Sequence, residues 1–514
     1  MKICIIGGGT AGWLAALMIT RLQPGHKVTV IESSKLGIIG AGEGTTGIFF
    51  DLLYNQFGNL GIDEADFMRE CRATQKMGIR FTNWQGQGES WISPIDNTPT
   101  ARKQWDGHLM HHCLNVDPKN VHRSTAGGTL AEHNLSCYSK DLTATYGFNA
   151  YHFDGNLVGR YFKKHSVHNC EVIDSEVLTA DQDNWGNISS LKLMNGKTVD
   201  ADYYIDASGF NRVLAKIVDA GWHSYANDLS CDSAIPFLLP LGKTVEPLTL
   251  SRALNSGWMW QIPTQERYGC GYVYDSSCIN QDRALEELET TLGCKVEPIK
   301  NIKFEPGRLE RSFCKNVMFI GLASVFLEPL QATSIHGTVH QIVYFLQNFL
   351  RPSGLPQGDL QNQIANTNFN IVYDQFADLV QLHYKSGRKD TEFWRKQQDL
   401  VPWRPRVQFL REAASRRWIN GGDFATAFGM AGYSVFIYPI LQYGWINLER
   451  IRADTNLNIG ADYQQEQRKI QAIKLGSITH TEMIELYKSN KLHNIKFRDS
   501  VPLPPIKPLH PFLR

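Results

Sequence analysis

The chain has 514 residues, which is enough for about two or three domains. Its hydrophobic content of 42% and charged content of 20% are typical of a globular protein, and its net charge of +1 argues against a nucleic-acid surface or an acidic membrane patch. No apolar run approaches the roughly 18 residues that a membrane span needs. The first predicted strand starts at Lys2, which leaves no room for a targeting peptide, and the ten cysteines include no CxxC pair. We therefore expect a cytoplasmic protein with reduced thiols.

The first predicted elements are a strand, a glycine-rich turn, a helix and a second strand. The strand at residues 3–6 precedes a GxGxxG turn, the helix covers residues 13–21, and the second strand at 27–31 ends in an acid 20 residues after the last glycine. In this arrangement the glycines allow a tight turn, a close approach of a pyrophosphate and close helix–strand packing. The acid can accept hydrogen bonds from an adenosine ribose. The residues that we predict to bind this nucleotide are Gly7, Gly9, Thr10, Ala11, Gly12 and Glu32.

The segment after this unit contains a second glycine-rich loop at residues 40–46 and a predicted helix at 47–54. Residues 76–84 alternate roughly and predict one strand with Lys76 at its mouth. Residues 85–150 are rich in Gly, His, Asn and Trp and predict an irregular insertion. Within it, His108 and His112 are four residues apart and precede Cys113, which would suit a metal on a helix face. The pattern favours the alternative, a partly buried polar helix face, and we assign no metal.

Two later strands return to the N-terminal unit. Short strands over residues 172–206 surround an Asn195-Gly196 turn and deliver Asp206, and a strand at 316–321 leads into Gly321. A helix is predicted at 334–350, residues 360–490 are mostly helical, and the last 15 residues hold five prolines and predict an extended strap or tail. In an FAD-binding fold, one sheet is assembled from distant segments of the chain, and here the N-terminal strand would be joined by strands near residues 205 and 320. NAD binding alone would not need the later loops. We add Asp206 and Gly321 to the predicted cofactor residues.

The predicted fold class is therefore α/β, an FAD-binding Rossmann-like flavoprotein fold with an inserted substrate region and a mostly helical C-terminal part. The predicted FAD-binding domain has three parts, 1–84, 161–235 and 301–355. The substrate region takes 85–160 as an insertion and 236–300, and the helical region takes 356–514.

Several further motifs carry a family resemblance. Besides GGGTAGW at residues 7–13, they are GWMWQIP at 257–263, DASGF at 206–210, RYGCGYVY at 267–274, IGLAS at 320–324, FLEPL at 326–330, and His383-Tyr384 with Phe393-Trp394. The WxWxIP motif consists of Trp258, Trp260, Ile262 and Pro263. By these motifs the chain resembles the flavin-dependent halogenases of the tryptophan-halogenase type over about residues 1–400. Core packing is the alternative role for the two tryptophans.

The resemblance implies a chemistry. In this family reduced FAD, oxygen and a halide ion give hypohalous acid, which travels to a lysine beside an aromatic substrate. Lys76 matches that lysine, either as an ammonium that hydrogen-bonds the oxidant or as a free amine that forms an N-halo species. The second route requires a pKa well below about 10.4, which burial can produce. A separate flavin reductase and a small aromatic substrate are the implied partners, and oligomerisation is left open.

One departure from the family pattern affects catalysis. Where the family has Glu-Ser-Thr after Pro-Leu, this chain has Gln331, Ala332 and Thr333. A glutamine amide has no basic site of use near pH 7, although it can orient hypohalous acid by hydrogen bonding. Thr333 and Ser334 occupy the position where backbone N–H groups at a helix N-terminus bind halide in the family.

We therefore predict a two-component FAD-dependent halogenase with Lys76 and Gln331 as catalytic residues, acting with bromide or iodide rather than chloride. The alternatives are a flavin-dependent hydroxylase on the same fold, which the WxWxIP motif disfavours, and a catalytically impaired flavin-binding protein. Tryptophan halogenases hold their substrate with a Tyr and a Glu and with a Phe-Trp pair. Tyr443 and Glu449 resemble the first two residues, but Ala453 and Asp454 occupy the positions expected for the aromatic pair. The predicted substrate is an indole, a phenol or a larger electron-rich molecule rather than free tryptophan.

Overall fold

The computed structural model describes residues 1–36, 42–54, 60–95, 99–142, 145–146, 149–350, 358–424, 433–454 and 460–491. The proline-rich tail predicted at the C-terminus lies outside these ranges. So does the start of the second glycine-rich loop. Within the described part, no helix is long and apolar enough to cross a bilayer.

The first sheet has six strands and is built from distant parts of the chain. In order across the sheet, its strands are Phe313–Cys314, Val317–Phe319, Tyr203–Asp206, Lys2–Ile6, Lys27–Glu32 and Cys170–Asp174. All neighbouring strands are parallel except the first pair. The strands near 205 and 320 thus join the N-terminal strand, as predicted. The apolar runs of these strands reflect burial on both faces, which is typical of parallel sheets.

The second sheet has seven strands. In order they are Ile302–Lys303, Ser233–Pro240, Arg267–Tyr274, Gly257–Pro263, Leu248–Ala253, Gly78–Thr82 and Ser90–Pro94. A third, three-stranded sheet has the order Glu43–Gly44, Ala150–Phe153 and Thr74–Lys76. The proposed domain boundaries stay a prediction, although the strand Gly78–Thr82 from the first predicted part already belongs to the second sheet.

The remaining strands form smaller sheets, which comprise Val177–Gln182, Ile188–Leu193 and Thr198–Val199; Trp222–Ser224, Gly307–Leu309 and Val325–Phe326; and Leu135–Ser139 with Ser477–Thr479. The α-helices are Thr10–Leu22, Gly47–Tyr54, Glu64–Glu70, Pro99–Asn115, Ala126–Glu132, Gly155–Ser166, Gln281–Leu292, Thr333–Asn348, Asp359–Tyr384, Glu392–Asp399, Pro405–Ala414, Tyr433–Gln442, Leu448–Asp454, Gly460–Gly476 and His480–Lys488. The helix after the second glycine-rich loop, the long helix after residue 333 and the helical C-terminal part are confirmed.

Two predictions about the region around Lys76 were wrong. The single strand expected over residues 76–84 is two strands in different sheets, divided at Met77, whose N–H donates to the Pro247 carbonyl at 2.7 Å. Residues 85–150 are not irregular, since their described part holds two strands and two α-helices. Helix Pro99–Asn115 lacks a clean apolar stripe, so its sequence carries little helical periodicity.

Candidate active site

The glycine-rich turn leaves open space in front of a helix N-terminus. Gly7 has φ of +115°, and a Cβ there would stand 2.3 Å from the Ala207 carbonyl oxygen. By contrast, a Cβ on Gly9 would meet no heavy atom within 4 Å. Helix Thr10–Leu22 starts at this opening with no side-chain cap and no acidic residue in its first turn. Free backbone N–H groups and the helix dipole both favour an anion here, so the residues present fit the pyrophosphate of FAD.

The other predicted cofactor residues surround this turn. Glu32 ends its strand and accepts a hydrogen bond from Trp13 Nε1 at 3.0 Å, and it also pairs with Lys163. Asp206 is buried, accepts hydrogen bonds from the backbone N–H groups of Ser208 and Leu214 at 2.9 and 2.8 Å, and has a pKa that burial raises. Its carboxylate therefore shapes the turn after its strand. Direct contact of either acid with FAD stays a prediction.

The third part of the predicted FAD-binding domain reaches the same turn. Gly321 has φ of +60°, and a Cβ there would lie 3.1 Å from Ala11 Cβ. Glycine suits this position for two reasons. It adopts the left-handed backbone without strain, and it has no side chain to crowd Ala11. The contact brings residues 11 and 321 together although they are far apart in sequence.

Lys76 lies at the end of a short strand and is only 1% exposed. Its ammonium group donates a hydrogen bond to the Thr45 carbonyl at 2.9 Å. Burial lowers the pKa of the Lys76 amine to about 7, and among the described ion pairs none joins Lys76 to a carboxylate. Without a counter-ion the desolvation cost of the charge is not offset, so the free amine is accessible near neutral pH.

Gln331 lies in a tight turn before helix Thr333–Asn348. Gln331 and Ala332 have φ of +68° and +55°, the left-handed region that non-glycine residues rarely adopt, at a cost of about 1 kcal/mol or more each. Such backbone conformations cluster at functional sites. The helix that follows has no side-chain cap and no acidic residue in its first turn, which leaves the N–H groups around Thr333 and Ser334 available to an anion.

The Gln331 side chain is bound to a buried histidine. Its amide Nε2 donates to His383 Nε2 at 2.8 Å, and His383 Nδ1 lies 3.3 Å from the Tyr443 hydroxyl. Burial lowers the pKa of His383 to about 3, so its ring is neutral, and it stacks on Phe81 with ring centroids 4.5 Å apart. Sequence reasoning quoted His383 only as part of a motif, and its contact with residue 331 arises from tertiary packing.

One hydrogen bond connects the surroundings of Lys76 with those of the candidate halide site. Thr46 Oγ1 and His336 Nδ1 are 2.6 Å apart. Thr46 follows the residue whose carbonyl accepts from Lys76, and His336 lies three residues after Thr333 on the same helix. Burial lowers the pKa of His336 to about 4, so the ring is neutral. The sequence did not predict this hydrogen bond, because nothing near Thr46 or His336 indicates that two residues 290 positions apart are in contact.

The WxWxIP motif forms strand Gly257–Pro263, which contacts both the segment before Gln331 and the strand that carries Lys76. Trp258 Nε1 donates to Glu328 Oε1 at 3.0 Å, just before the Gln331 turn. At the other end, the Pro263 carbonyl accepts from Thr74 Oγ1 at 2.7 Å, two residues before Lys76. Trp258 is 1% exposed, and Trp260 packs where Gly271 has no side chain, since a Cβ there would stand 2.0 Å from the indole. Both tryptophans are packed in the core, and the motif also ties together the elements that carry Lys76 and Gln331.

Glu328 belongs to the FLEPL motif, but the sequence did not predict a role for it. Its carboxyl group is buried, accepts from Trp258 and lies 2.9 Å from the Tyr384 hydroxyl. Burial outweighs these hydrogen bonds and raises the Glu328 pKa to about 8. One feature of the sequence could have indicated a role for Glu328. An acidic residue within an apolar run is expected to be buried, and a buried carboxyl group needs hydrogen-bond partners.

The histidine cluster on helix Pro99–Asn115 packs against one aromatic side chain. His112 Nδ1 lies 2.6 Å from the Tyr463 hydroxyl, and the rings of His108 and His111 also contact Tyr463. Within the described ranges, no group of three or more His, Cys, Asp or Glu side chains could hold a metal ion. These contacts account for the cluster as a polar helix face.

The fold and the site thus define a class of protein, a flavoprotein-like α/β protein with a dinucleotide turn and a separate buried lysine beside a strained helix N-terminus. A family model described as tryptophan halogenase matches residues 2–457. A tryptophan 7-halogenase of Kutzneria sp. (strain 744), KtzQ, is 33% identical over 436 residues, which are 78% of this chain and 79% of that protein. The tryptophan 7-halogenase RebH of Lentzea aerocolonigenes is 31% identical over 432 residues, with coverage of 78% and 79%.

A solved structure gives the same result. The chain superposes with a TM-score of 0.85 on Tar14, a tryptophan C-6 flavin-dependent halogenase (chlorinase) from taromycin biosynthesis, at 26% identity and with coverage of 95% of this chain and 99% of that one. The chain therefore belongs to the tryptophan halogenase family of flavin-dependent enzymes.

Proposed function

We propose that this protein is a two-component halogenase that receives reduced FAD from a separate flavin reductase and transfers halogen through Lys76 to an electron-rich aromatic substrate. When bound and reduced, FAD would supply two electrons and two protons, with which oxygen, a halide ion and one further proton give hypohalous acid and water. The observation that supports a role for Lys76 best is its buried amine, which has a pKa of about 7 and no carboxylate partner among the described ion pairs.

Both possible roles of Lys76 are compatible with this environment. As an ammonium, Lys76 can donate a hydrogen bond to hypohalous acid while the Thr45 carbonyl holds a second N–H. As a free amine, it can take the halogen and release water. Halogenation by the amine route should increase as pH rises through about 7, and the ammonium route should decrease over the same range. The pH profile of the halogenation step therefore separates the two.

The proposed halide site is the N-terminus of helix Thr333–Asn348. The left-handed turn at Gln331 and Ala332 turns the chain into this helix, where backbone N–H groups at Thr333 and Ser334 can hold an anion. We propose bromide or iodide as the preferred halide, because they are oxidised more readily than chloride. The Gln331 amide, oriented by neutral His383, can hydrogen-bond the oxidant but cannot act as a general base.

The proposed substrate is an indole, a phenol or a larger electron-rich aromatic molecule. Tyr443 is buried and lies within 3.3 Å of His383, close to Gln331. Glu449, the other residue that echoes a tryptophan clamp, is exposed in the first turn of helix Leu448–Asp454. An exposed carboxylate holds an amino group weakly, which supports a substrate other than the free amino acid.

The test is a screen of chloride, bromide and iodide against indole and phenol, with FAD, a flavin reductase and oxygen. Halide-dependent halogenated product supports the proposal. Hydroxylated product without halide dependence would favour the flavin hydroxylase, and absence of turnover with every pair would favour an impaired flavin-binding protein.

We predict that Lys76→Ala abolishes halogenation while oxygen consumption by reduced flavin continues. The lysine acts after the oxidant is made, so its loss should uncouple the two halves of the reaction. Product yield and oxygen uptake are measured together, and Lys76→Met serves as a control that keeps most of the buried aliphatic volume. Halogenation by either variant at near the wild-type rate would remove Lys76 from the mechanism.

A further inference from the structure

The strand that carries Lys76 is at the edge of its sheet. Thr74–Lys76 pairs on one side with Ala150–Phe153, and among the described strands none pairs with its other side. Backbone groups on such an edge must be satisfied elsewhere or remain open to water. The chain next to the strand is covered by the segment around residue 247, since the Pro247 carbonyl accepts from Met77 N–H at 2.7 Å.

His480 packs at this edge from the C-terminal part of the chain. It is 0% exposed, its Nδ1 lies 2.9 Å from the Val245 carbonyl, and its ring also faces the Gln75 backbone. Its own N–H donates to the Asn134 carbonyl at 2.9 Å. Burial lowers the pKa of His480 to about 4, so the imidazole is neutral. In the part of the chain that the structure describes, its Nε2 has no hydrogen-bond partner.

The segment that carries His480 is anchored at two places near the Lys76 strand. Strand Ser477–Thr479 pairs with strand Leu135–Ser139, and the Cys137 N–H of the latter donates to Gln75 Oε1 at 3.0 Å. On the other side, Val245 N–H donates to Thr481 Oγ1 at 3.2 Å. These contacts place residues 477–481 between Val245 and the strand whose Cys137 binds Gln75, the residue before Lys76. The segment lies beyond residue 457, where the match to the family model ends.

We propose that His480, with residues 477–481 around it, is a positioning element for Lys76: it holds the free edge of the Lys76 strand and keeps water from reaching the buried lysine from that side. The role of Lys76 itself rests on the proposed function. His480 acts through the backbone of Gln75 and the Val245 carbonyl, not through contact with substrate.

The groups that face the Lys76 strand explain why this closure affects the lysine. In the part of the chain that the structure describes, the titratable groups that face this strand are His152 from strand Ala150–Phe153 and His480 from helix His480–Lys488, and burial keeps both neutral. Neither can act as a counter-ion, so the state of the Lys76 amine depends on how far water is excluded. Opening the edge at His480 would admit water and favour the ammonium.

The experiment measures Lys76 directly in the full-length protein. Reductive methylation with formaldehyde and cyanoborohydride is followed as a function of pH on the peptide of residues 73–80, which Arg-specific proteolysis releases and which contains Lys76 as its single lysine. In His480→Ala we expect the midpoint of the Lys76 profile to move up by about one pH unit and the plateau rate to rise, because the amine becomes hydrated. A wild-type midpoint in folded His480→Ala would overturn the proposal.

Two further variants complete the design. Tyr487 is on the same helix as His480, and Tyr487→Phe removes its 2.5 Å hydrogen bond to Tyr138. This variant should leave the Lys76 midpoint unchanged, so an equal shift there would show a general loosening and overturn a specific role for His480. If His480→Ala does not fold, His480→Ser, which also removes the ring and opens the edge but keeps a polar side chain, takes its place, and a wild-type Lys76 midpoint in it would overturn the proposal. Because the readout needs no turnover, continued halogenation by Lys76→Ala would refute the proposed function while leaving the methylation result to decide the role of His480.

Discussion

Burial moves the pKa of Lys76 down to about 7 and that of Glu328 up to about 8, because a low-dielectric interior disfavours the charged form of each group. The two groups differ in their partners. Glu328 accepts from Trp258 and Tyr384, whereas Lys76 donates to one backbone carbonyl. Glu328 is therefore held in place, while Lys76 keeps N–H groups or a lone pair for a reactant.

Glu328 should make stability depend on pH. Its folded pKa of about 8 lies above the usual 4.5, so its contribution to stability is fully present below about 4.5 and is lost as pH rises through about 8. Glu328→Gln keeps a hydrogen-bonding side chain and removes the ionisation. We expect its Tm at pH 8.5 to exceed that of the wild type by about 1–3 °C, with little difference at pH 5, measured by thermal denaturation.

Glu449→Gln is the matched control for this measurement, since Glu449 is exposed. It should leave the pH dependence of Tm as it is in the wild type. Identical pH dependence in Glu328→Gln and wild type would show that Glu328 ionises in the folded protein as easily as in the unfolded chain.

Gln331 should limit the enzyme to reactive halides and activated arenes. After halogen adds to the ring, a proton must leave, and a general base in the position of Gln331 is worth roughly 10²–10⁴-fold. We expect activity with bromide or iodide, little with chloride, and chlorination raised about tenfold or more by Gln331→Glu. Initial rates with each halide at equal concentration test this.

Gln331→Ala is the companion variant, because it removes the hydrogen bond to His383 without adding a base. It should not raise chlorination. If the wild type chlorinates as fast as it brominates and Gln331→Glu changes nothing, another residue is the base.

Among the elements, the glycine-rich turn offers the sharpest test of cofactor binding. Gly9 has φ of −81° and ψ of −175°, an extended conformation that other residues adopt, and its missing side chain would point into open space. Gly9→Val should therefore fold normally but fill the space where the pyrophosphate binds, weakening FAD binding about tenfold or more. Flavin titration by fluorescence measures the change.

Gly25→Val is the control for that variant, since a Cβ on Gly25 also meets no heavy atom within 4 Å and lies outside the turn. It should bind FAD as the wild type does. Equal affinity of Gly9→Val and wild type would place the pyrophosphate elsewhere.

The second element is the WxWxIP strand, which affects the site by holding two of its segments in place. Through Trp258 it holds Glu328 near the Gln331 turn, and through the Pro263 carbonyl it holds Thr74 near Lys76. The motif could be found in the sequence, but neither contact could, because each joins residues 70 to 189 positions apart.

At the scale of the whole molecule, the family relationship and the substrate are separate questions. Curated relatives are tryptophan halogenases, yet we predict that free tryptophan is a poor substrate here, because Glu449 is exposed. Competition between tryptophan and an accepted indole or phenol, followed by product analysis, tests this. We expect the kcat/KM for tryptophan to be lower by about tenfold or more. Tight binding and efficient turnover of tryptophan would contradict the prediction.

The sequence by itself determined the local elements and the order in which they join. The GxGxxG turn, the returning strands near 205 and 320 and the helix after residue 333 depend on short-range patterns of glycines, apolar runs and caps, and all three appear in the structure. The family motifs were readable for the same reason. Prediction failed at residues 76–84, where an alternating pattern could not show that tertiary contacts at Met77 divide it between two sheets.

Only the tertiary structure decided the electrostatics of the site. Burial lowers the pKa of Lys76, raises the pKa of Glu328 against the effect of its hydrogen bonds from Trp258 and Tyr384, and keeps His383 neutral where it stacks on Phe81. Desolvation depends on every element that surrounds a group, including His480 from the far end of the chain, and none of these neighbours is close in sequence. Residue types and local spacing therefore identified the candidate site residues, whereas their protonation states required the folded chain.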